Sequence, residues 1–129
     1  MKSFNVYGQT TETIGGNTPV WLGTVKPIPV GAAIRGGLRE RRSFSAGRPC
    51  IYDAIDKSVT FDAVSKEEYN AYLYNDVVND SDEFISEVTC AVVMHHPEGL
   101  LIDRVGIELS DEDIATLQKN IPGVLLVRG

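Results

Sequence analysis

The most informative part of this sequence is EFISEVTCAVVM, residues Glu83–Met94. At a period of two, one face is apolar apart from a serine and comprises Phe84, Ser86, Val88, Cys90, Val92 and Met94. The opposite face begins polar and becomes apolar, and β-branched residues are frequent throughout. This pattern predicts a long central strand, half-buried at its start and covered on both sides later. A helix is the alternative, but its apolar residues would not form one stripe at a spacing of 3.6.

Outside this stretch the patterns predict further short strands and one helix. Strands are expected at Cys50–Tyr52, Ser58–Val64, Ala71–Val77, Gly99–Val105 and Val124–Arg128. The strand at Gly99–Val105 would form an antiparallel hairpin with Glu83–Met94. A helix is predicted from Ser110 to Asn120, because Ser110 can cap it and three acidic residues follow. Ile114, Leu117 and Ile121 recur on one face of that helix, and Pro122 ends it.

Short strands at regular spacing with one helix predict a mainly β (α+β) protein. We expect an antiparallel β-sandwich or barrel-like sheet with one C-terminal helix and an extended N-terminal arm. Residues 1–48 would form the arm and an arginine-rich loop, since Ala32–Arg48 holds three glycines and five arginines and shows no regular period. Residues 49–129 would form the compact β-rich domain with the helix at 110–120.

Size and composition agree with one globular domain. The chain has 129 residues, of which 43% are hydrophobic and 23% charged, so a disordered protein is not expected. Cys50 and Cys90 lie in apolar runs without a CxxC motif, and we interpret them as small buried side chains in a reducing compartment. The beginning, MKSFNVYGQT, lacks an apolar region, and no run reaches the ~18 residues of a membrane span. We therefore expect neither a signal peptide nor a membrane anchor.

Charge is distributed unevenly along the chain, whose formal net charge is −6. Up to Tyr52 there are seven bases and two acids, a balance of +5, and from Asp53 there are five bases and sixteen acids, a balance of −11. Such halves can attract each other within the fold, join head to tail between copies, or contact different partners.

Two clusters contain metal-binding residue types. His95, His96 and Glu98 are the best candidates, but neighbouring side chains on a strand point to opposite faces, so one ion could not easily bind both imidazoles. The acidic residues Asp76, Asp80, Asp82 and Glu83 lack the EF-hand spacing and its glycine, which favours a solvated turn. We expect no metal and no cofactor.

Motifs of catalysis are not found in the sequence. It contains no GxSxG, no GxxxxGK[ST] and no GxGxxG, and neither cysteine has a flanking motif that would mark it as reactive. We therefore predict that the chain is not an enzyme.

The most distinctive surface feature is the arginine loop, Arg35–Arg42. It can be a solvated loop, a docking surface for an acidic protein, or a phosphate or nucleic-acid contact. A sequence pI near 4.8 argues against a broad nucleic-acid-binding face, whereas arginine is favoured in protein interfaces because its planar fork pairs with carboxylates. The predicted partner-binding residues are Trp21, Arg35, Arg39, Arg41, Arg42 and Arg48.

Four segments resemble, in order, small head-decoration or head-fibre proteins of tailed bacteriophages. They are AGRPCIYDAIDKSVT (Ala46–Thr60), AYLYNDVV (Ala71–Val78), VTCAVVMHHPEGLLIDR (Val88–Arg104) and LQKNIPGVLLV (Leu117–Val127). These correspond to an entry turn, a strand, a valine-rich strand followed by a turn, and a terminal helix. The chain departs from that pattern at Ile121–Pro122, where leucine is more usual, and in the arginine loop.

The resemblance implies a structural protein of the virion without enzymatic activity. It would dock on the major capsid protein through residues 1–48 and could also contact other copies of itself or fibre proteins. The residues themselves lead us to expect no membrane contact and to disfavour nucleic-acid binding. The resemblance implies a location on the capsid surface and, during assembly, in the host cytoplasm. The alternative is a small intracellular ligand- or metal-binding β-barrel that uses the His95–Glu98 region.

Overall fold

The computed structural model describes residues 20–29 and 31–128, and the N-terminal end of the predicted arm lies outside them. Within these residues the chain forms ten strands, one α-helix and two 3-10 turns, at Lys66–Glu68 and Ile102–Arg104. The strands are β1 (Ala32–Ile34), β2 (Ser43–Phe44), β3 (Pro49–Asp53), β4 (Ser58–Thr60), β5 (Ala71–Leu73), β6 (Val77–Val78), β7 (Thr89–Cys90), β8 (Val92–Val93), β9 (His96–Leu101) and β10 (Val124–Val127). The helix α1 spans Asp111–Asn120. The predicted mainly β fold is confirmed.

Six of these strands form one sheet that is nearly closed into a barrel. Their order is β7-β1-β4-β3-β5-β8, so β7 and β8 lie at its two edges although only Ala91 separates them along the chain. On one side of this stretch the amides of Ile28 and Ile34 donate to Val92 and Val88, and on the other the Tyr74 amide donates to Ala91. Residues 88–93 therefore join both edges, which leaves little unpaired backbone there.

The prediction for Glu83–Met94 is right for the faces of residues 88–93 and wrong at both ends, because Phe84 and Met94 of the predicted apolar face are exposed. Cys90 and Val92 lie in the barrel interior with Val88 packed against them, as the alternation predicts. Residues 83–87, in contrast, are exposed, and Ile85 makes only an isolated bridge to Leu38. Only Thr89–Cys90 and Val92–Val93 have regular strand structure, and residues 88–93 join the two edges of the barrel. The exposed residues 83–87 lie beside the loop at 35–42 and do not pair with a strand.

A second layer packs on the outside of the barrel. It consists of β9 and β10, which pair in parallel, and of α1. The predicted antiparallel hairpin is therefore wrong: β9 leaves the barrel after Met94 and takes β10 as its partner. The residues between the layers form one apolar cluster: Val20, Tyr69, Tyr72, Val93, Leu100, Ile102, Val105, Leu117, Ile121 and Val124.

Residues 32–48 belong to the body of the fold, so the prediction of an exposed loop at Ala32–Arg48 is wrong. Strand β1 pairs in parallel with β4 and antiparallel with β7, and β2 pairs with β6. Ile34, Leu38 and Phe44 are buried in the barrel interior. The sequence did not reveal these strands, because the buried apolar residues are several positions apart and are separated by glycines and arginines.

The helix begins as predicted, at a capping box. The Ser110 hydroxyl accepts from the Asp113 amide, and the Asp113 carboxylate accepts from the Ser110 amide, both at 3.1 Å. Leu117 of this helix is fully buried and belongs to the apolar cluster between the two layers. Among the helices in the described part of the chain, none has the length and apolar character to cross a membrane.

We expect Ser110→Ala to lower the free energy of unfolding by about 1 kcal/mol, since the Asp113 amide loses its acceptor. Urea unfolding followed by circular dichroism measures this change. Ser110→Thr retains the hydroxyl and should recover most of the loss. Equal destabilisation by alanine and threonine would show that the capping hydrogen bond does not hold this end of the helix.

Candidate functional site

Three of the predicted partner-binding arginines surround one groove on the barrel surface. It has a volume of about 230 Å³ and lies between the β1–β2 connection and the end of β4. Its walls are formed by Ile34, Arg35, Gly36, Gly37, Leu38, Arg39, Arg42, Phe44, Thr60, Phe61 and Asp62. We call it the arginine groove.

Two stacked phenylalanine rings form the apolar base of the arginine groove. The rings of Phe44 and Phe61 are 3.9 Å apart at an interplanar angle of 11°. The guanidinium groups of Arg42 and Arg48 lie 4.8 and 5.1 Å from the centre of the Phe44 ring. The Asp62 carboxylate lies 4.0 Å from Arg42 and 3.8 Å from Arg48. Ring and carboxylate thus hold both cations in place before any partner binds.

The other arginines differ in what they contact. Arg35 donates to Asp56 at 3.1 Å and to Ser58 Oγ at 2.9 Å. Arg41 points away from the groove and donates to the Asp82 carboxylate at 2.7 and 3.0 Å and to the Asp80 carbonyl. The Arg39 side chain, which lines the groove, makes no hydrogen bond or ion pair with the residues that the structure describes. Of the three arginines that line the groove, Arg39 is therefore the one most available to an incoming anion.

The arginine loop is held by a buried amide that sequence reasoning missed. Asn79 is only 3% exposed, and its Nδ2 donates to the carbonyls of Leu38, Arg39 and Glu83 at 3.3, 3.0 and 2.8 Å. Leu38 and Ile85 also exchange two backbone hydrogen bonds. These contacts join the backbone of the loop at 35–42 to that of the acidic loop at 79–85, so the loop that carries the arginines is anchored at its centre.

Exposed apolar side chains lie on the acidic loop beside the groove. Phe84 is 54% exposed, and Ile85 and Val78 are also exposed. Gly37 has a φ of +74°, and a Cβ there would lie 2.5 Å from the Ile85 carbonyl oxygen and 2.9 Å from the Phe84 ring. Gly37 is therefore needed both for its backbone conformation and for the close approach of Phe84. An aromatic ring next to arginines is a combination frequent at the centres of protein interfaces.

Trp21 lies elsewhere, in the second layer. Its Nε1 donates to the Tyr74 carbonyl at 2.8 Å, and its ring meets Tyr72 and His96 edge to face, with centroids 6.5 and 5.4 Å away. Trp21 is half-buried, and its only polar atom is already bonded. It contributes to packing near β9 and does not belong to the arginine groove.

The two histidines are placed on opposite sides, as the strand geometry predicts. His96 is buried and its Nε2 donates to the Leu22 carbonyl at 2.5 Å, whereas His95 is exposed. The Glu98 carboxylate is 4.0 Å from that same nitrogen. The acidic residues are equally dispersed, since Asp76 accepts from the Ala46 amide and Asp82 from Arg41. Over residues 20–29 and 31–128, no three or more metal-ligating side chains come together.

Both cysteines are free and buried. Burial raises the pKa of Cys90 from 9.0 to about 11. Burial, together with the nearby Cys90 thiol, raises the pKa of Cys50, and Arg48 partly opposes this. Neither thiol is activated as a nucleophile, because activation requires a lowered pKa.

The raised pKa of Cys90 predicts alkaline destabilisation. Below pH 9 the thiol is neutral in both states, but above pH 9 the unfolded chain loses this proton while the folded chain keeps it up to about pH 11. Between pH 7 and pH 10 this should cost about 1.4 kcal/mol of stability. Urea unfolding at both pH values should show a fall smaller by that amount in Cys90→Ala. An equal fall in both proteins would contradict a raised pKa.

Comparisons with protein-family models, with curated proteins and with solved structures found no match for this chain.

Proposed function

We propose that this chain is a structural virion protein that docks on the major capsid protein of a tailed bacteriophage, as a decoration or head-fibre component. Two lines of reasoning support the proposal. One is the resemblance of four segments between Ala46 and Val127, in their order, to proteins of that class. The other is the arginine groove.

The observation that carries the proposal is the placement of three arginines, Arg35, Arg39 and Arg42, around one groove with an apolar base. Arg42 and Arg48 are held by Phe44 and Asp62, and the Asn79 side chain fixes the backbone on either side of Arg39. A surface ordered in advance loses little conformational entropy on association. Such a surface suits repeated docking on a lattice, where many weak contacts add up.

The side chains of the groove are suited to binding a partner rather than to catalysing a reaction. The described side chains that line it include guanidinium groups, one threonine and one carboxylate, together with apolar groups, but no Ser, Cys or His. Its volume of about 230 Å³ is below the ~300–1,000 Å³ of pockets that enclose small molecules. We therefore favour a protein partner. The alternative is a ligand- or metal-binding β-barrel that uses the His95–Glu98 region, and the placement of His96, whose Nε2 is bonded to the Leu22 carbonyl, gives no support to metal binding there.

Residues 1–19 complete the proposal as a docking arm. Their sequence is rich in Thr and Gly and contains few large apolar residues, a composition that suits a segment contacting the capsid protein. Deleting residues 1–42 would not isolate the contribution of the arm, because it also removes the buried side chains of Ala32, Ile34 and Leu38 and would destabilise the fold. A deletion of residues 1–19 leaves all the described elements in place.

The test is co-sedimentation of the purified chain with shells of the phage that encodes it, assembled without this protein. We expect saturable binding, and binding weaker by at least ~10-fold for the chain that lacks residues 1–19, since the two contacts act together. Mass spectrometry of purified virions should also detect the chain. A chain that neither binds the shells nor occurs in virions would rule out the proposal.

A further inference from the structure

We infer that the arginine groove receives a single acidic side chain from the protein partner, held by the Arg39 guanidinium with Arg42 beside it. This inference rests on the proposed docking function and names the chemistry of the partner. It follows from three properties of the groove: its charges, its apolar base and its size.

The charges leave one site for an anion. Arg35 is already paired with Asp56, and Arg42 and Arg48 share the single carboxylate of Asp62. Arg39 has no partner among the described residues, so the lining has more cationic than anionic groups. A carboxylate placed against Arg39 can accept two parallel hydrogen bonds from its fork, which is the strong geometry for this pair.

The base of the groove favours a carboxylate on an aliphatic stem. Phe44 and Phe61 are both at most 6% exposed, and Ile34 and Leu38 are buried beside them. The methylene groups of a glutamate can contact the small part of this apolar base that remains exposed while the carboxylate reaches Arg39. Phe84, exposed next to Gly37, offers a second apolar contact. The fitting partner segment is therefore an acidic residue with apolar neighbours.

A nucleic acid or another polyanion fits this surface less well. Asp62 lies in the groove itself, and Asp56, Asp80 and Asp82 carry or adjoin the ion pairs around it. A phosphate backbone has a charge at every nucleotide and would meet these carboxylates. A single acidic side chain can bind Arg39 without approaching them.

The test uses N-acetyl-glutamate N-methylamide as the probe and its glutamine counterpart as the matched control, with detection of arginine Nε–H resonances by NMR. We expect the glutamate compound to shift the Arg39 and Arg42 signals saturably, with an affinity at least tenfold above that of the glutamine compound. Arg39→Gln should abolish the difference. Lys66→Gln, which removes one exposed positive charge elsewhere, should leave it unchanged.

Equal shifts from both compounds, shifts that do not saturate, or shifts outside the groove would overturn the inference. So would tighter binding of inorganic phosphate with the same footprint, which would make this a phosphate site. The result does not depend on capsids, because the probe is a free compound. If the glutamate compound does not bind but the chain still binds capsid shells, only the inference of an acidic side chain is refuted. If the chain does not bind capsid shells, the proposed docking function is refuted.

Discussion

Asn79→Asp should lower the free energy of unfolding by about 3 kcal/mol and the melting temperature by roughly 10 °C. The replacement keeps the shape of the side chain but removes the amide group that donates to Leu38, Arg39 and Glu83. Three carbonyl oxygens would then face a carboxylate at a position only 3% exposed. The carboxylate would be repelled by the carbonyl oxygens and would also lose its hydration, and both effects lower the free energy of unfolding. This polar substitution should therefore destabilise the fold as much as many substitutions in an apolar core.

The matched control is Asn75→Asp, the same change at an exposed position four residues earlier. It should alter stability by less than ~0.5 kcal/mol. Urea unfolding monitored by circular dichroism gives both values. Similar stability of the two variants would mean that Asn79 does not hold the loops together, and the argument for an anchored arginine loop would lose its basis.

Arg39→Glu combined with Arg42→Glu should weaken binding to capsid shells by ~100-fold or more, equivalent to about 2.7 kcal/mol. The double change removes Arg39, whose side chain has no partner among the described residues, and Arg42, which lies over the Phe44 ring. It also places two carboxylates beside Asp62. Arg39→Glu alone should retain stability, because its side chain has no partner among the described residues, and should still weaken binding by ~10-fold.

Lys66→Glu combined with Lys119→Glu is the control for net charge. Both lysines are exposed, and they lie on the 3-10 turn at Lys66–Glu68 and on α1, which contact each other away from the groove. This variant carries the same total charge as the double arginine variant and should bind the shells almost as well as the original chain. Equal weakening by both variants would mean that overall charge, not the groove, determines affinity.

The elements that could be predicted are those in which local chemistry and the final structure agree. Helix α1 begins at Ser110, because a capping hydroxyl and three acids act within one turn, and it ends before Pro122. The alternation of Val59 with Thr60 and of Cys90 with Ala91 was equally informative, since a strand that is buried on one face needs that period.

The elements that were missed depend on contacts distant in sequence. Residues 88–93 close the barrel because β1 and β5 lie on either side, and no local pattern specifies such neighbours. The position of β1 is hidden for the same reason, since Ala32 and Ile34 are its only two inward residues. Asn79 resembles any turn asparagine until Leu38 and Arg39, some forty residues earlier, are folded against it.

The predicted arginines divide in a way that sequence could not foresee. Arg39 and Arg42 line the groove and Arg48 packs behind it, but Arg41 is occupied by Asp82 and Trp21 lies in the second layer. Phe84 was misread from the sequence. Alternation placed it on the inward face, whereas it is 54% exposed and its ring lies beside Gly37.

A cryo-EM map of capsid shells decorated with this chain tests the central claim most directly. We predict that the chain lies on the major capsid protein with Arg39, Arg42 and Phe84 at the interface and with α1 directed away from the shell. An acidic side chain of the capsid protein should lie within hydrogen-bonding distance of Arg39. A map in which α1 faces the shell and the arginine groove is open to solvent would contradict the account.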